Sequence, residues 1–197
     1  MAMDAERRQA ELIAQFSSQA VALSSAQQLA ALVLEATSHP ALFAFSELLA
    51  LPALSMLAGT QYSSSLDLLR LFAYGTLKDY KNNSGSLPAL LPDQVRKLKQ
   101  LSVLTLAEST KILPYDQLMQ ELDVSNVREL EDFLINECMY SGIVRGKLDQ
   151  LRRCFEVRCL QPVSAASLSI CPMIFLYAYC IRFRYNLQLE EILHLIS

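Results

Sequence analysis

The sequence predicts a mostly α chain: successive helix pairs of α-solenoid type, then a helix-turn-helix unit carrying a small antiparallel sheet, the winged-helix arrangement. Three observations predict it. Glycine is scarce, 5 in 197 residues, while Leu and Ala abound, a balance that favours helices. Apolar residues recur at three- and four-residue spacing up to about Thr110, the period of an amphipathic helix. Beyond Lys111 that period gives way more than once to short alternating runs, the period of strands. Hydrophobic residues at 52% and charged residues at 19% describe a folded chain, with enough length for one domain or two small ones.

Taken in order, residues 4–22 form a first helix with Ile13, Phe16 and Ala20 on one side. Ser24 or Ser25 caps a second, 26–36, that carries Leu29, Leu32 and Val33 and stops at His39-Pro40. A third helix spans 41–51, is interrupted by Pro52, and is followed by a helical turn to Gly59. Ser64 or Ser65 then caps a helix to about Tyr80, with Leu68, Leu69, Phe72, Tyr74 and Leu77 as its apolar stripe. Residues 81–88 are a polar loop. A helix from Asp93 to about Thr110 follows, with Val95, Leu98, Leu101, Val103, Leu104 and Leu106.

From there the texture changes. Lys111-Ile112-Leu113, closed by Pro114, reads as a short strand, 114–121 as a short helix and 122–126 as a turn. A helix 127–140 presents Val127, Leu130, Phe133, Leu134 and Cys138 and is closed by Gly142. Residues 143–148 and 151–157 alternate like two strands around Asp149-Gln150. The order helix, strand, helix, turn, helix, strand, turn, strand is that of a winged helix. The predicted division is a helical-repeat part over 1–92, a winged-helix part over 93–157 and a tail over 158–197.

Several function classes find no support. The five glycines form neither a G-x-x-x-x-G-K nor a G-x-G-x-x-G loop, so no phosphate cradle is expected. His39 and His194 are the two histidines, and neither has ligand-spaced neighbours for a zinc site. His39, before Pro40, reads as a turn or cap residue. No G-x-S-x-G elbow supports a nucleophile. The chain is therefore read as a non-enzyme with no metal, no cofactor and no small-molecule substrate.

Cys138, Cys154, Cys159, Cys171 and Cys180 make an odd set without a C-x-x-C pair. The first fifteen residues carry Asp4, Glu6, Arg7, Arg8 and Glu11 instead of an apolar leader. Reduced thiols and a cytoplasmic and nuclear location are the expectation.

Nucleic acid is disfavoured on charge. The net charge is -3, and the second helix of the turn motif sets Arg128 against Glu129, Glu131, Asp132 and Glu137. Those carboxylates would meet phosphates in a groove. Lys147, Arg152 and Arg153 are a modest basic cluster on the wing, and Arg145 and Lys147 are placed to touch an acidic partner. An open edge of the small sheet offers a different use, pairing with the sheet of another domain.

The residues also carry a resemblance. Leu104-Thr105-Leu106-Ala107-Glu108-Ser109, the runs 118–138 and 142–150, and the upstream stretches 34–45 and 68–76 look like a PCI domain. They most resemble the subunit-seven family of the COP-nine (constitutive photomorphogenesis) signalosome in its plant form, over roughly 1–157. The resemblance implies a helical-repeat and winged-helix fold and a non-catalytic scaffold role. In that family the complex removes the ubiquitin-like modifier Nedd8 from cullin-RING ligases, using a zinc metalloprotease on another subunit. In plants it is implied in photomorphogenesis, through repression of light-dependent development in darkness.

It further implies lateral association with other signalosome subunits through winged-helix sheet edges, and contact with cullin-RING ligases only indirectly. Leu148, Leu151, Arg153, Phe155 and Val157 are the positions this assigns to partner binding. The other reading is a nucleic-acid-binding PCI subunit of a different complex.

The tail departs from the family, which would continue through a polar linker into a long helix joining a bundle of all the subunits. Here Arg158-Cys159-Leu160-Gln161-Pro162 leads into a Ser/Ala stretch and an apolar run over 173–181. The content reads as an alternative exon or read-through intron. The apolar run is nine residues, short of the roughly 20 a membrane span needs, so no membrane association is expected. A short amphipathic helix is expected over 187–196.

Overall fold

The computed structural model describes residues 2–160. The expectations placed on the apolar run 173–181, the helix 187–196, Cys171, Cys180 and His194 lie outside the described residues.

Helices α1 (Ala2–Ala22) and α2 (Ala26–Ser38) form the first antiparallel pair. The Ser25 hydroxyl accepts the Gln28 N–H at 3.5 Å and caps α2. Phe16 and Ala20 of α1 and Leu29, Leu32, Val33 and Ala36 of α2 are buried together. His39 ends α2, as expected of a cap residue. Its N–H reaches the Ala36 carbonyl, its Nδ1 accepts the Ala41 N–H at 3.3 Å, and its ring stands edge-on to Phe16.

The helix expected over 41–51 is shorter: α3 runs only Phe45–Leu49. The Gln9 side chain explains the loss. Its Oε1 accepts the Phe43 N–H at 3.0 Å and its Nε2 donates to the Ala41 carbonyl. The amide of a residue more than thirty positions away therefore takes backbone groups that a helix would need. Pro52 does not interrupt a helix; it starts α4 (Pro52–Ser55) from the first turn, where its missing N–H costs nothing.

The single helix expected to Tyr80 is two helices, α5 (Ser63–Tyr74) and α6 (Leu77–Asn82). Thr76 supplies the second start. Its hydroxyl accepts the Asp79 N–H at 3.3 Å, and the Asp79 carboxylate accepts the Thr76 N–H at 2.9 Å, a reciprocal capping box. The break sits at Gly75, where a Cβ would lie 2.7 Å from Leu71 Cδ1 and 2.9 Å from the Leu71 carbonyl oxygen. Phe72 of α5 meets Phe45 of α3 edge to face, ring centres 5.4 Å apart.

Helix α7 (Pro92–Ser109) is the axle of the fold. Besides Leu98, Leu101, Val103 and Leu104 it buries four polar side chains, Gln94, Lys97, Gln100 and Ser102. Each has a partner on a different element. Gln94 donates to the Thr37 hydroxyl of α2 at 2.7 Å, Lys97 donates to the Pro40 carbonyl, and Gln100 donates to the Glu137 carbonyl at 2.7 Å. Ser102 accepts the Leu77 N–H of α6 at 2.9 Å. Ser102→Ala would leave that buried N–H without an acceptor. The expected loss is about 1–3 kcal/mol in a denaturant titration, against almost no change for Ser109→Ala at the exposed end of the same helix.

The winged part then unfolds in the predicted order: β1 (Ile112–Pro114), α8 (Tyr115–Leu122), α9 (Val127–Phe133), β2 (Val144–Asp149) and β3 (Cys154–Leu160). Asp123 closes α8 in the left-handed region (φ 52) and Asn126 caps α9. The helix expected over 127–140 is α-helical only to Phe133; Leu134–Met139 is a π-helical turn. The three strands are antiparallel in the order β1-β3-β2.

Two boundaries change meaning. Helix α7 packs on α2 and α6 and also on α8, β1 and β3, and the described residues fall in one compact unit. The division at 92/93 thus separates kinds of element within one core. Residues 158–160, expected to open the tail, instead complete β3 and pair with β2 up to Val144–Leu160. Among the described residues no helix is long and apolar enough to cross a membrane.

The candidate partner-binding sheet edge

The five residues expected at a partner-binding edge are not on one edge. Strand β3 is the centre of the sheet, paired on both sides. Phe155 and Val157 are buried in the core, which sequence alternation could not distinguish from an edge position. Leu151 and Arg153 precede β3 and belong to the turn. Leu151 is fully exposed at its tip. Of the five, Leu148 lies on an edge strand, half-buried on β2. The expected edge therefore moves from the strand over 151–157 to β2.

Hydrogen-bond polarity decides which edge is open. The Val157 N–H donates to the Lys111 carbonyl at 2.7 Å and the Tyr115 N–H to the Arg153 carbonyl at 2.8 Å. In an antiparallel ladder bonded pairs recur every second residue, so Phe155 bonds towards β1 while Cys154 and Glu156 bond towards β2. On β2 the partners of these two are Asp149 and Lys147. The backbone groups of Gly146 and Leu148 consequently point away from the sheet, two N–H donors and two carbonyl acceptors with no neighbouring strand among the described residues. On β1 the outward residues are Ile112 and Pro114. That strand is three residues long, and its proline has no N–H to offer.

Gly146 is required where it stands. A Cβ there would lie 2.6 Å from the Glu156 carbonyl oxygen and 2.6 Å from the Phe155 ring. The ring occupies the space that a side chain would take.

The wing turn is fastened to the helices beneath it. Arg153 has a left-handed φ of 50 and its guanidinium meets the Asp116 carboxylate at 3.1 Å. Glu131 of α9 accepts the Tyr115 hydroxyl at 2.9 Å and the Gln150 amide at 3.0 Å. Burial first, and then the Glu131 carboxylate, push the Tyr115 hydroxyl above its ordinary range, so it stays a donor. Arg152 is drawn to Glu156 at 3.7 Å and to Asp149 at 3.9 Å.

Of the basic wing cluster seen in the sequence, Arg152 and Arg153 are thus paired in place and, among the described residues, Lys147 is not, while Glu129 and Asp132 of α9 stay exposed.

Among the described residues no group of three or more His, Cys, Asp or Glu could hold a metal ion. Burial pushes the Cys138 thiol up to about 12, so it is protonated and inert.

The comparisons with known proteins agree with this architecture. The PCI domain family matches residues 76–158. The chain is 68% identical over 155 residues to COP9 signalosome complex subunit 7 of Arabidopsis thaliana, covering 79% of this chain and 59% of that protein. It is 38% identical over 153 residues to the Dictyostelium discoideum protein of the same name, covering 75% and 59%. Against COP9 signalosome complex subunit 7a of Mus musculus it is 42% identical over 129 residues, covering 66% and 46%. It thus spans 59% of the length of the first two relatives. With its helical part, its three-stranded sheet and a plant relative at 68% identity, the chain belongs to the PCI-domain family, in the group of the COP9 signalosome subunit 7 proteins.

Proposed function

We propose that the chain is a non-catalytic scaffold subunit of a COP9 signalosome, the complex that removes Nedd8 from cullin-RING ubiquitin ligases, working in cytoplasm and nucleus. It joins neighbouring subunits by adding the outer edge of β2 to another sheet, and meets cullin-RING ligases only through the assembly. In a plant that role bears on light-dependent development. The observation that carries the reading is the backbone of Gly146 and Leu148, without a neighbouring strand among the described residues, an invitation to strand addition. The names borne by the relatives support it.

Leu148→Pro tests it. The Leu148 N–H points outward, so proline removes no β2–β3 bond but blocks an added strand. The full chain with this change, co-expressed with the other signalosome subunits, is expected to fold by circular dichroism and to drop out of the purified complex. Leu148→Ala, which keeps the N–H and loses the side chain, is expected to remain in it. Retention of a folded Leu148→Pro chain at wild-type level would end the edge reading.

A further inference from the structure

Seven of the fifteen basic side chains in residues 2–160 have an ion pair within those residues. Arg7 meets Glu11, Arg70 meets Asp67, Lys78 meets Glu121, and Lys81 meets Asp123. Arg96 meets Asp93, and Arg152 and Arg153 are held as described. Four exposed basic residues without an ion pair among the described residues, Lys111, Arg145, Lys147 and Arg158, gather at one end of the sheet. Lys111 and Arg158 line a shallow depression of about 390 Å3 there. Arg145 and Lys147 stand on β2 itself, either side of Gly146. The chain as a whole carries a net charge of -3, so this concentration runs against its composition.

Strand geometry places these charges. Side chains alternate across a sheet, so the exposed Arg145 and Lys147 share the solvent face of β2, while Val144 is buried and Leu148 half-buried on the other face. A strand added beyond β2 sets its own side chains about 5 Å from theirs, solvent face to solvent face. Like charges opposite one another there are destabilising, and opposite charges stabilise.

Resting on the edge reading above, we infer that the strand which adds to β2 is an acidic one: carboxylates at alternate positions face Arg145 and Lys147, with apolar residues between them on the core side, beside Leu148. The occupant is a protein segment and not a nucleic acid, because the edge offers acceptors as well as donors. The Gly146 and Leu148 carbonyls need N–H groups, which an extended peptide supplies and a phosphate backbone lacks.

The test measures the affinity of the full chain for the remaining signalosome subunits assembled without it, at low and at high ionic strength. Arg145→Glu with Lys147→Glu is expected to weaken binding about tenfold or more at low salt and to flatten its salt dependence. Arg128→Glu, which changes an exposed charge on α9 away from the edge, is expected to do neither. Amide exchange at Gly146 and Leu148 should slow on assembly of the wild-type chain.

Unchanged affinity and salt slope in the charge-reversed chain overturn the proposal. If Leu148→Pro then still abolishes binding, the edge reading survives alone. Weakening by charge reversal with no effect of Leu148→Pro and no slowed exchange would mean that the partner is not a strand, and both readings fall. Binding of a single-stranded oligothymidylate that the charge reversal removes, with assembly intact, would assign the patch to nucleic acid and also overturn it.

Discussion

Gly146→Val is expected to lower stability by about 3 kcal/mol or more, the upper range for overpacking a well-filled site. The Cβ alone would sit 2.6 Å from both a backbone oxygen and an aromatic ring that is fully buried. Neither obstacle can retreat. The Glu156 carbonyl belongs to the central strand, and Phe155 is wedged in the core. The strain would be relieved by parting β2 from β3, so near-ultraviolet circular dichroism and a thermal melt should both report it. Gly85→Val is the control, since nothing lies within 4 Å of a Cβ there. A melting temperature for Gly146→Val equal to that of the control would show that the sheet is looser than described.

The second large effect is a pH dependence centred on Lys97. The residue is 3% exposed, and its ammonium donates to the Pro40 carbonyl and lies 3.6 Å from the centre of the Phe43 ring, with no carboxylate in bonding range among the described residues. Burial lowers its pKa from 10.5 to about 7. Nearby His39 is itself lowered, by burial first and then by Lys97, with Glu35 acting the other way.

The sign follows from proton counting. Between about pH 7 and 10.5 the unfolded chain holds a proton on Lys97 that the folded chain has released. Stability therefore rises with pH across that window, by up to about 1.4 kcal/mol per unit. Below it both states are charged and the full cost of burying the ammonium remains. Lys97→Met should remove the slope and be at least as stable at neutral pH, because the aliphatic stem already fills the space. Parallel urea titrations of both chains at pH 7 and 9 check this; equal slopes would mean that Lys97 reaches water in the folded state.

What the sequence disclosed and what it hid divide along the range of the interactions. The stop at His39-Pro40, the Ser25 cap and the order of elements in the winged part were legible because their causes are local: a proline, a capping hydroxyl, a change of period. The missing first turn of α3 was not, since Gln9 acts from a distant helix. The break at Gly75 left a local trace, Thr76 and Asp79 three apart, but in a capping box that uses Asp where Glu or Gln is the usual signature.

The candidate site suffered most. Alternation over 151–157 looks the same whether a strand is central or at an edge. Only the pairing of Ile112–Pro114 with 154–156 puts β3 in the middle. The turn residues Leu151 to Arg153 were absorbed into that strand because the Arg152 N–H bond to the Asp149 carboxylate has no signature in hydrophobic pattern. Of the edge itself, one sign was available from the start: a glycine between two basic residues, on a strand whose counterpart ends in proline.

Helix α7 has a consequence for how such a wing is inherited and moved. The stretch matched by the family, 76–158, begins at the capping box of α6 and takes in the whole of α7. Yet two of the polar side chains that α7 buries, Gln94 and Lys97, find their partners in Thr37, Pro40 and Phe43. Lifted out as a cassette, the wing would carry an orphaned amide and ammonium on a newly bared greasy flank. A graft that succeeds must bring α2 and the Pro40–Phe43 connection with it, or repaint that flank; the transferable module is larger than its recognisable core.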